Sequence, residues 1–213
     1  MPYFYIENSL NLLFIHIPKT GGTSVKNYLS HIYKIPLDNS SLEYKIENNI
    51  DNNIDNNLNI SLQHMTYKNI MKYKNFFKIN TNNLEIITIV RNPYERIMSD
   101  LFFFNKINKD SSKEEVNDAI KIYFSENLDN HTIPQYEFLL DEKNKILKNI
   151  KILHIETLKN DMINIGYSDF DIFINTNSIK INYYDYLNND SINIINQYYY
   201  YDFIIFNYDM INR

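Results

Sequence analysis

Three glycines occur in the 213 residues, and two of them, Gly21 and Gly22, are adjacent within LLFIHIPKTGGTSVKNYL, Leu12 to Leu29. The run Leu12 to Ile17 is almost continuously apolar, the pattern of a strand buried on both faces, and Pro18 ends it. From Thr23 onward, Val25, Tyr28, Leu29 and Ile32 recur at helical spacing. The stretch therefore predicts strand, tight loop, helix. In a chain dominated by Asn, Ile, Lys and Tyr, a glycine pair at that junction marks a backbone requirement that other residues meet badly.

The same alternation continues downstream. LEIITIV, Leu84 to Val90, is rich in β-branched residues and predicts a strand. RNPYERIMSDLFFFNKI follows as a helix, with Pro93 in its first turn and Ile97, Leu101 and Phe104 on its apolar face. SKEEVNDAIKIYF predicts an amphipathic helix opened by a capping box of Ser112 and Glu115. NIKILHI predicts a third strand, and ETLKNDMINIG a helix closed near Gly166. NDSINIINQYYYYDFIIF predicts a last helix with Asn189 or Asp190 as N-cap. Strands alternating with helices place the chain in the α/β class: a single P-loop-like domain over residues 1–213, with a central parallel sheet flanked by helices. The tract KIENNIDNNIDNNLNI, residues 45–60, is low in complexity and reads as an exposed insertion.

Composition excludes several classes. Without cysteine there are neither disulfides nor thiolate metal sites. A net charge of −5 argues against broad nucleic-acid binding. The N-terminal residues lack the basic flank, long apolar run and small-residue cleavage site of a signal peptide or anchor, so the expected location is cytoplasmic, with no membrane anchor.

Chemistry concentrates in two motifs. A glycine pair between strand and helix turns several backbone N–H groups toward the helix N-terminus, where the dipole favours an anion. Lys19 adds a charge there, and Thr20, Thr23 and Ser24 add hydroxyl donors. The lysine precedes the glycines, whereas the nucleotide P-loop G-x-x-x-x-G-K-[ST] places it after them. The second motif is VRNPYERIMS. The chain has three arginines, and Arg91 and Arg96 both sit here, in a protein that otherwise uses lysine. That choice indicates a need for the planar guanidinium fork. Arg91 is expected at the C-terminal end of a strand, facing an anion together with Ser99 and not paired with Glu95, while Arg96 braces the helix.

FIHIPKTGGTS followed by IVRNPYERIMS closely resembles the sulfotransferases that use 3′-phosphoadenosine 5′-phosphosulfate, especially their carbohydrate branch. The resemblance implies that Lys19, Thr20, Gly21, Gly22, Thr23 and Ser24 hold the 5′-phosphosulfate, and that Arg91 and Ser99 hold the 3′-phosphate. LQHMT resembles the segment that supplies a histidine near the acceptor, which makes His64 the expected general base, with Lys19 as the other catalytic residue. HTIPQYEFLLD resembles the substrate-side segment and implies that His131 touches the acceptor, a glycan or another hydroxyl compound. The family requires no metal, and no spacing of His and carboxylates here predicts a metal site. His16 is expected in the core with its ring hydrogen-bonded. Two other readings stay open from the residues alone: a P-loop-like kinase using ATP, and a nucleotide- or glycan-binding relative without catalysis.

Overall fold

The computed structural model describes residues 2–37, 61–126, 128–171 and 181–212. Its sheet has four strands, β1 (Tyr3–Ile6), β2 (Leu10–Ile15), β3 (Glu85–Val90) and β4 (Ile150–His154), in the spatial order β1-β2-β3-β4. β2, β3 and β4 are parallel, and β1 pairs antiparallel with β2. The fold is thus α/β with a mostly parallel sheet, as its alternation predicts. The antiparallel β1 was not expected. It follows from a tight turn in which Asn8 takes a left-handed conformation (φ 61°) and the Ser9 amide donates to the Ile6 carbonyl at 3.0 Å.

Alternate residues of the strands feed two cores. Phe4, Leu12, Phe14, Ile87, Ile89 and Leu153 face α1 (Gly22–Tyr33) and a second helix, Leu158–Asn164, through Val25, Leu29, Leu158 and Met162. Leu13, Ile15, Ile86 and Val90 face the other way, toward α2 (Tyr67–Lys72) and the 3₁₀ turn Gln135–Leu139. Thr88 shares that second face, and it satisfies its buried hydroxyl by donating to the Ile15 carbonyl at 2.9 Å. A third core joins α3 (Pro93–Phe103), α4 (Lys113–Ser125) and the C-terminal helices.

The caps explain where the helices begin. Asn92 accepts from the Tyr94 amide ahead of Pro93, and Ser112 and Glu115 close both halves of the capping box. The helix Leu158–Asn164, now α5, is followed by Gly166 at φ 105°. Two expectations are corrected. The C-terminal run forms two helices, α6 (Asn189–Tyr198) and α7 (Tyr200–Ile205), with Tyr199 between them, and the N-cap is Asn188, which accepts from the Ser191 amide. β2 also ends at Ile15, so His16 and Ile17 belong to the loop. The Asn-rich tract at 45–60 lies outside the described residues. Among the described residues no helix is long and apolar enough to cross a membrane.

Candidate active site

The three parallel strands end side by side, and the segments leaving them build the site, at the edge where open α/β sheets bind ligands. After β2 the chain passes His16-Ile17-Pro18-Lys19-Thr20-Gly21 into α1. Lys19 (φ 63°) and Gly21 (φ 84°) are both left-handed, the backbone form that gathers N–H groups into an anion-binding concavity. A left-handed lysine is uncommon and costs energy that the surrounding contacts must offset. Gly21 has no side-chain capping bond, so the helix N-terminus is not closed by a side chain from this position.

The glycines answer two different constraints. At Gly21 the backbone angle decides, and an added Cβ would also meet Ile155 Cδ1 at 2.8 Å. Gly22 is ordinary helical backbone, but a Cβ there would lie 2.3 Å from His16 Cδ2 and 2.5 Å from His16 Nε2. The His16 ring therefore occupies the space that the missing Cβ leaves. It stacks on Phe14 with centroids 5.6 Å apart and is buried, as expected. Its ring is not fully hydrogen-bonded, which corrects the expectation: Nδ1 has no partner among the described residues. Burial, and then the neighbouring His64, hold its pKa well below the usual imidazole value, so the ring is neutral.

The second motif fastens the first. Arg96 is 1% exposed, and its guanidinium donates to three backbone carbonyls: Pro18 at 3.2 Å, Ile133 at 2.9 Å and His131 at 2.7 Å. It braces through carbonyls where a carboxylate partner was expected. Arg91 donates to the Lys19 carbonyl at 3.3 Å and to Glu95 Oε2 at 3.1 and 3.4 Å. The expectation that Arg91 stands apart from Glu95 is therefore corrected, because one helical turn brings the two side chains together. The Arg91 backbone is held in turn by Gln135, which accepts from its amide at 2.9 Å and donates to its carbonyl at 2.8 Å. Buried Asp202 accepts from the Gln135 and Tyr136 amides at 2.8 and 2.9 Å.

The remaining predicted residues fall around this frame. The Lys19 ammonium sits 3.8 Å from the centroid of the Phe103 ring, and among the described residues no carboxylate forms a salt bridge with it. Burial and then the Arg91 charge lower its pKa, against the pull of Asp100. Thr20 is buried and donates its hydroxyl to the Ile17 carbonyl at 2.9 Å, so it can offer a ligand only its backbone amide. Thr23 is exposed and Ser24 half-buried on the first turn of α1. Ser99 is half-buried on α3, beside Asp100.

His64 lies under the loop, its ring edge-on to His16 with centroids 5.4 Å apart. Its Nδ1 is 2.7 Å from Asp129 Oδ2, and the same carboxylate accepts from the Ser61 hydroxyl at 2.6 Å. An ionised carboxylate only accepts, so Nδ1 carries the proton and Nε2 keeps its lone pair. Burial lowers the His64 pKa, while Asp129 works in the opposite direction. Burial also pushes the Asp129 carboxyl up, but the bonds from His64 and Ser61 outweigh it and hold the group below the usual range. His131 meets His64 with centroids 4.9 Å apart, and its Nδ1 bonds to the fully buried Asp100 at 2.8 Å. Tyr123 donates its hydroxyl to the same carboxylate at 2.5 Å.

His64 meets His131, His131 lies against Phe103 and the Lys19 ammonium lies over the same Phe103 ring, so these residues form one chain of contacts, which Arg91 joins through the Lys19 carbonyl. Arrayed here are an unpaired ammonium, a helix N-terminus, a guanidinium and an imidazole backed by a carboxylate, which together suit transfer of an anionic group to a hydroxyl. The sequence profile of the sulfotransferase family matches residues 2–131. The chain belongs to the sulfotransferase family. No curated protein and no solved structure matches it. As a sulfotransferase it is a transferase whose general chemistry is movement of a sulfuryl group, and the matched span contains every residue singled out from the sequence for the site.

What sequence reasoning missed in this sulfotransferase are the partners: Asp129 and Ser61 for His64, Asp100 for His131, and Gln135 and Asp202 for Arg91. Asp129 was within sight, two residues before His131 in DNHTIPQ. The sequence also predicted no metal site, yet one donor atom each from His64, Asp129 and His131 lie within 4.8 Å of one another.

Proposed function

We propose that this sulfotransferase moves the sulfuryl group of 3′-phosphoadenosine 5′-phosphosulfate to a hydroxyl of a carbohydrate acceptor. The observation that carries the reading is the joining of the two motifs: Arg91 and Arg96 donate to the carbonyls of Lys19 and Pro18. That joining sets two anion-binding groups beside each other at adjacent strand ends, as a nucleotide phosphorylated at both its 3′ and 5′ positions requires. The residues fit that donor on a second count, because the Lys19 ammonium is half-buried and, among the described residues, lies against an aromatic ring and no carboxylate.

Each residue then has a task. Lys19, the loop amides of Gly21 and Gly22, and the hydroxyls of Thr23 and Ser24 neutralise the sulfuryl oxygens and the leaving 5′-phosphate. Arg91, with Ser99, takes the 3′-phosphate after exchanging its bond to Glu95 for the stronger dianion. His64 Nε2 accepts the proton of the acceptor hydroxyl, and Asp129 fixes the ring and stabilises the imidazolium that forms. A bond from the acceptor oxygen to sulfur forms as the bond from sulfur to the phosphate oxygen breaks, releasing adenosine 3′,5′-bisphosphate. His131 lies against His64 and, on this reading, borders the acceptor.

Thermal unfolding with adenosine 3′,5′-bisphosphate, compared with ATP plus Mg²⁺, tests the donor. A ligand at about a hundred times its Kd adds about 2.7 kcal/mol. Stabilisation by the bisphosphate, lost in Arg91→Ala, is the expected result. A response to ATP alone would replace this reading with phosphoryl transfer. Sulfate transfer to a panel of glycans, aryl alcohols and tyrosine peptides then tests the acceptor class, and transfer only to non-carbohydrates would overturn that half.

A further inference from the structure

His64, Asp129 and His131 are far apart or unpatterned in sequence, and the fold brings one donor atom of each to within 4.8 Å of the others. The surroundings resemble those of a ligand set more than of a chance cluster. His131 donates its Nδ1–H to buried Asp100 at 2.8 Å, which fixes the ring and leaves Nε2 with a lone pair for a ligand bond. A carboxylate behind an imidazole is the usual outer partner of a metal-bound histidine, because it sets the tautomer and raises the ligand's basicity. The His64 Nδ1 lies 2.7 Å from Asp129 Oδ2, so an ion shared by these two residues would enter between them in place of the proton that now joins them. The third member, Asp129, has a side chain 34% exposed, which opens the cluster to solvent on one side.

We propose that His64, Asp129 and His131 bind a divalent transition-metal ion of the zinc class. Two imidazoles and one carboxylate suit zinc, cobalt or nickel, and they offer too few oxygens for calcium or magnesium. Zinc bonds of about 2.0–2.2 Å place tetrahedral ligands about 3.3 Å apart, so the cluster closes on an ion with side-chain shifts of about 1 Å. Three protein ligands leave the fourth position to water or an anion. On the sulfuryl-transfer reading, an ion held here takes His64 out of service as a base and inhibits the enzyme. The binding itself does not rest on that reading.

The test titrates the chelator-treated full chain with ZnCl₂ and, separately, MgCl₂ by calorimetry, and follows CoCl₂ by the visible absorption of tetrahedral cobalt. One zinc per chain is expected, with no magnesium uptake. Asp129→Asn and His131→Gln should weaken zinc at least tenfold, and Asp100→Asn about tenfold through the His131 ring. His31→Gln, an exposed histidine elsewhere, should change nothing. The absence of zinc uptake would overturn the proposal, as would uptake undiminished in both Asp129→Asn and His131→Gln. Thermal melts confirm that each variant is folded; should His131→Gln fail that check, Asp129→Asn, at the half-exposed position, decides alone. Adding adenosine 3′,5′-bisphosphate to the same samples separates the two readings. Zinc uptake without a bisphosphate response keeps the metal site and removes the donor assignment.

Discussion

Gly22→Ala places one methyl group where the His16 ring already lies. The new Cβ would stand 2.3 Å from His16 Cδ2, more than 1 Å inside the 3.4 Å at which ordinary contact begins. The ring has little room to retreat, since it stacks on Phe14 and its edge meets His64. Overpacking of this kind costs about 1–3 kcal/mol, and a clash with a wedged ring belongs at the upper end. For a chain of this size each kcal/mol lowers Tm by about 2–4 °C, so a fall of about 6–12 °C is expected. Removing the ring should reverse the effect. In His16→Ala the methyl at position 22 fills part of the cavity, so the double variant should be more stable than the sum of the singles by about 1–3 kcal/mol. Gly21→Ala supplies the contrast. Its cost comes from the left-handed backbone, about 1–2 kcal/mol, together with the contact to Ile155 Cδ1, and His16→Ala should relieve neither. Urea or thermal melts of the four-membered cycle decide the matter. Additivity of Gly22→Ala and His16→Ala within about 0.5 kcal/mol would refute the packing account of Gly22 and return the residue to ligand contact alone.

Glu95→Gln removes the anion that competes for Arg91, so adenosine 3′,5′-bisphosphate should bind about two- to fivefold tighter, the equivalent of a partly exposed ion pair; weaker binding in a calorimetric titration would make Glu95 a brace of the arginine instead. Asp129→Asn should lower kcat by roughly 10²-fold with bisphosphate affinity unchanged. Because Asp129 raises the His64 pKa, its loss should also move the acid limb of the kcat/KM profile to lower pH, and a profile that does not move would detach Asp129 from the base. Burial raises the Asp202 pKa to about 6, against the Gln135 amide and Arg96, so the folded protein binds this proton more readily than the unfolded chain. Its contribution to stability is therefore full below about pH 4 and is lost as pH rises through about 6. Asp202→Asn should flatten that part of the stability profile in urea melts at pH 4 to 7; an unchanged slope would assign the dependence to other groups.

The parts of this protein that were legible in its sequence are those in which a local rule and the tertiary structure agree. The β-branched run ending at Val90, the capping box of Ser112 and Glu115, and the proline at the start of α3 each carry their signal within a few residues. β1 was missed because YFYI has neither alternation nor a flanking glycine, and its turn uses Asn8 in the left-handed form. Gly22 was legible as a constraint but not in its cause, since His16 lies six residues away on the other side of the loop. The partners of the site residues were hidden for a similar reason. Asp129 reaches His64 across 65 positions and Gln135 reaches Arg91 across 44, and no periodicity records such pairs.

Those long-range pairs divide the site into two kinds of group. Arg96, Gln135, Asp202 and the Thr20 hydroxyl spend their hydrogen bonds on backbone, so they hold the loops after β2 and β3 in place whether or not a ligand is present. Among the described residues Lys19 lies over a ring without a carboxylate partner, Thr23 faces solvent, and Arg91 holds a partner that a dianion can displace. On the proposed reading, geometry is fixed by groups that bond to backbone, and charge is left to groups that can exchange their partner for a ligand. Such preorganisation is how a site stabilises developing charge without rearranging during the reaction. It also explains the spending of two of three arginines on one turn. A lysine at position 96 could not reach the carbonyls of Pro18, Ile133 and His131 together, because one ammonium lacks the planar fork that spans them.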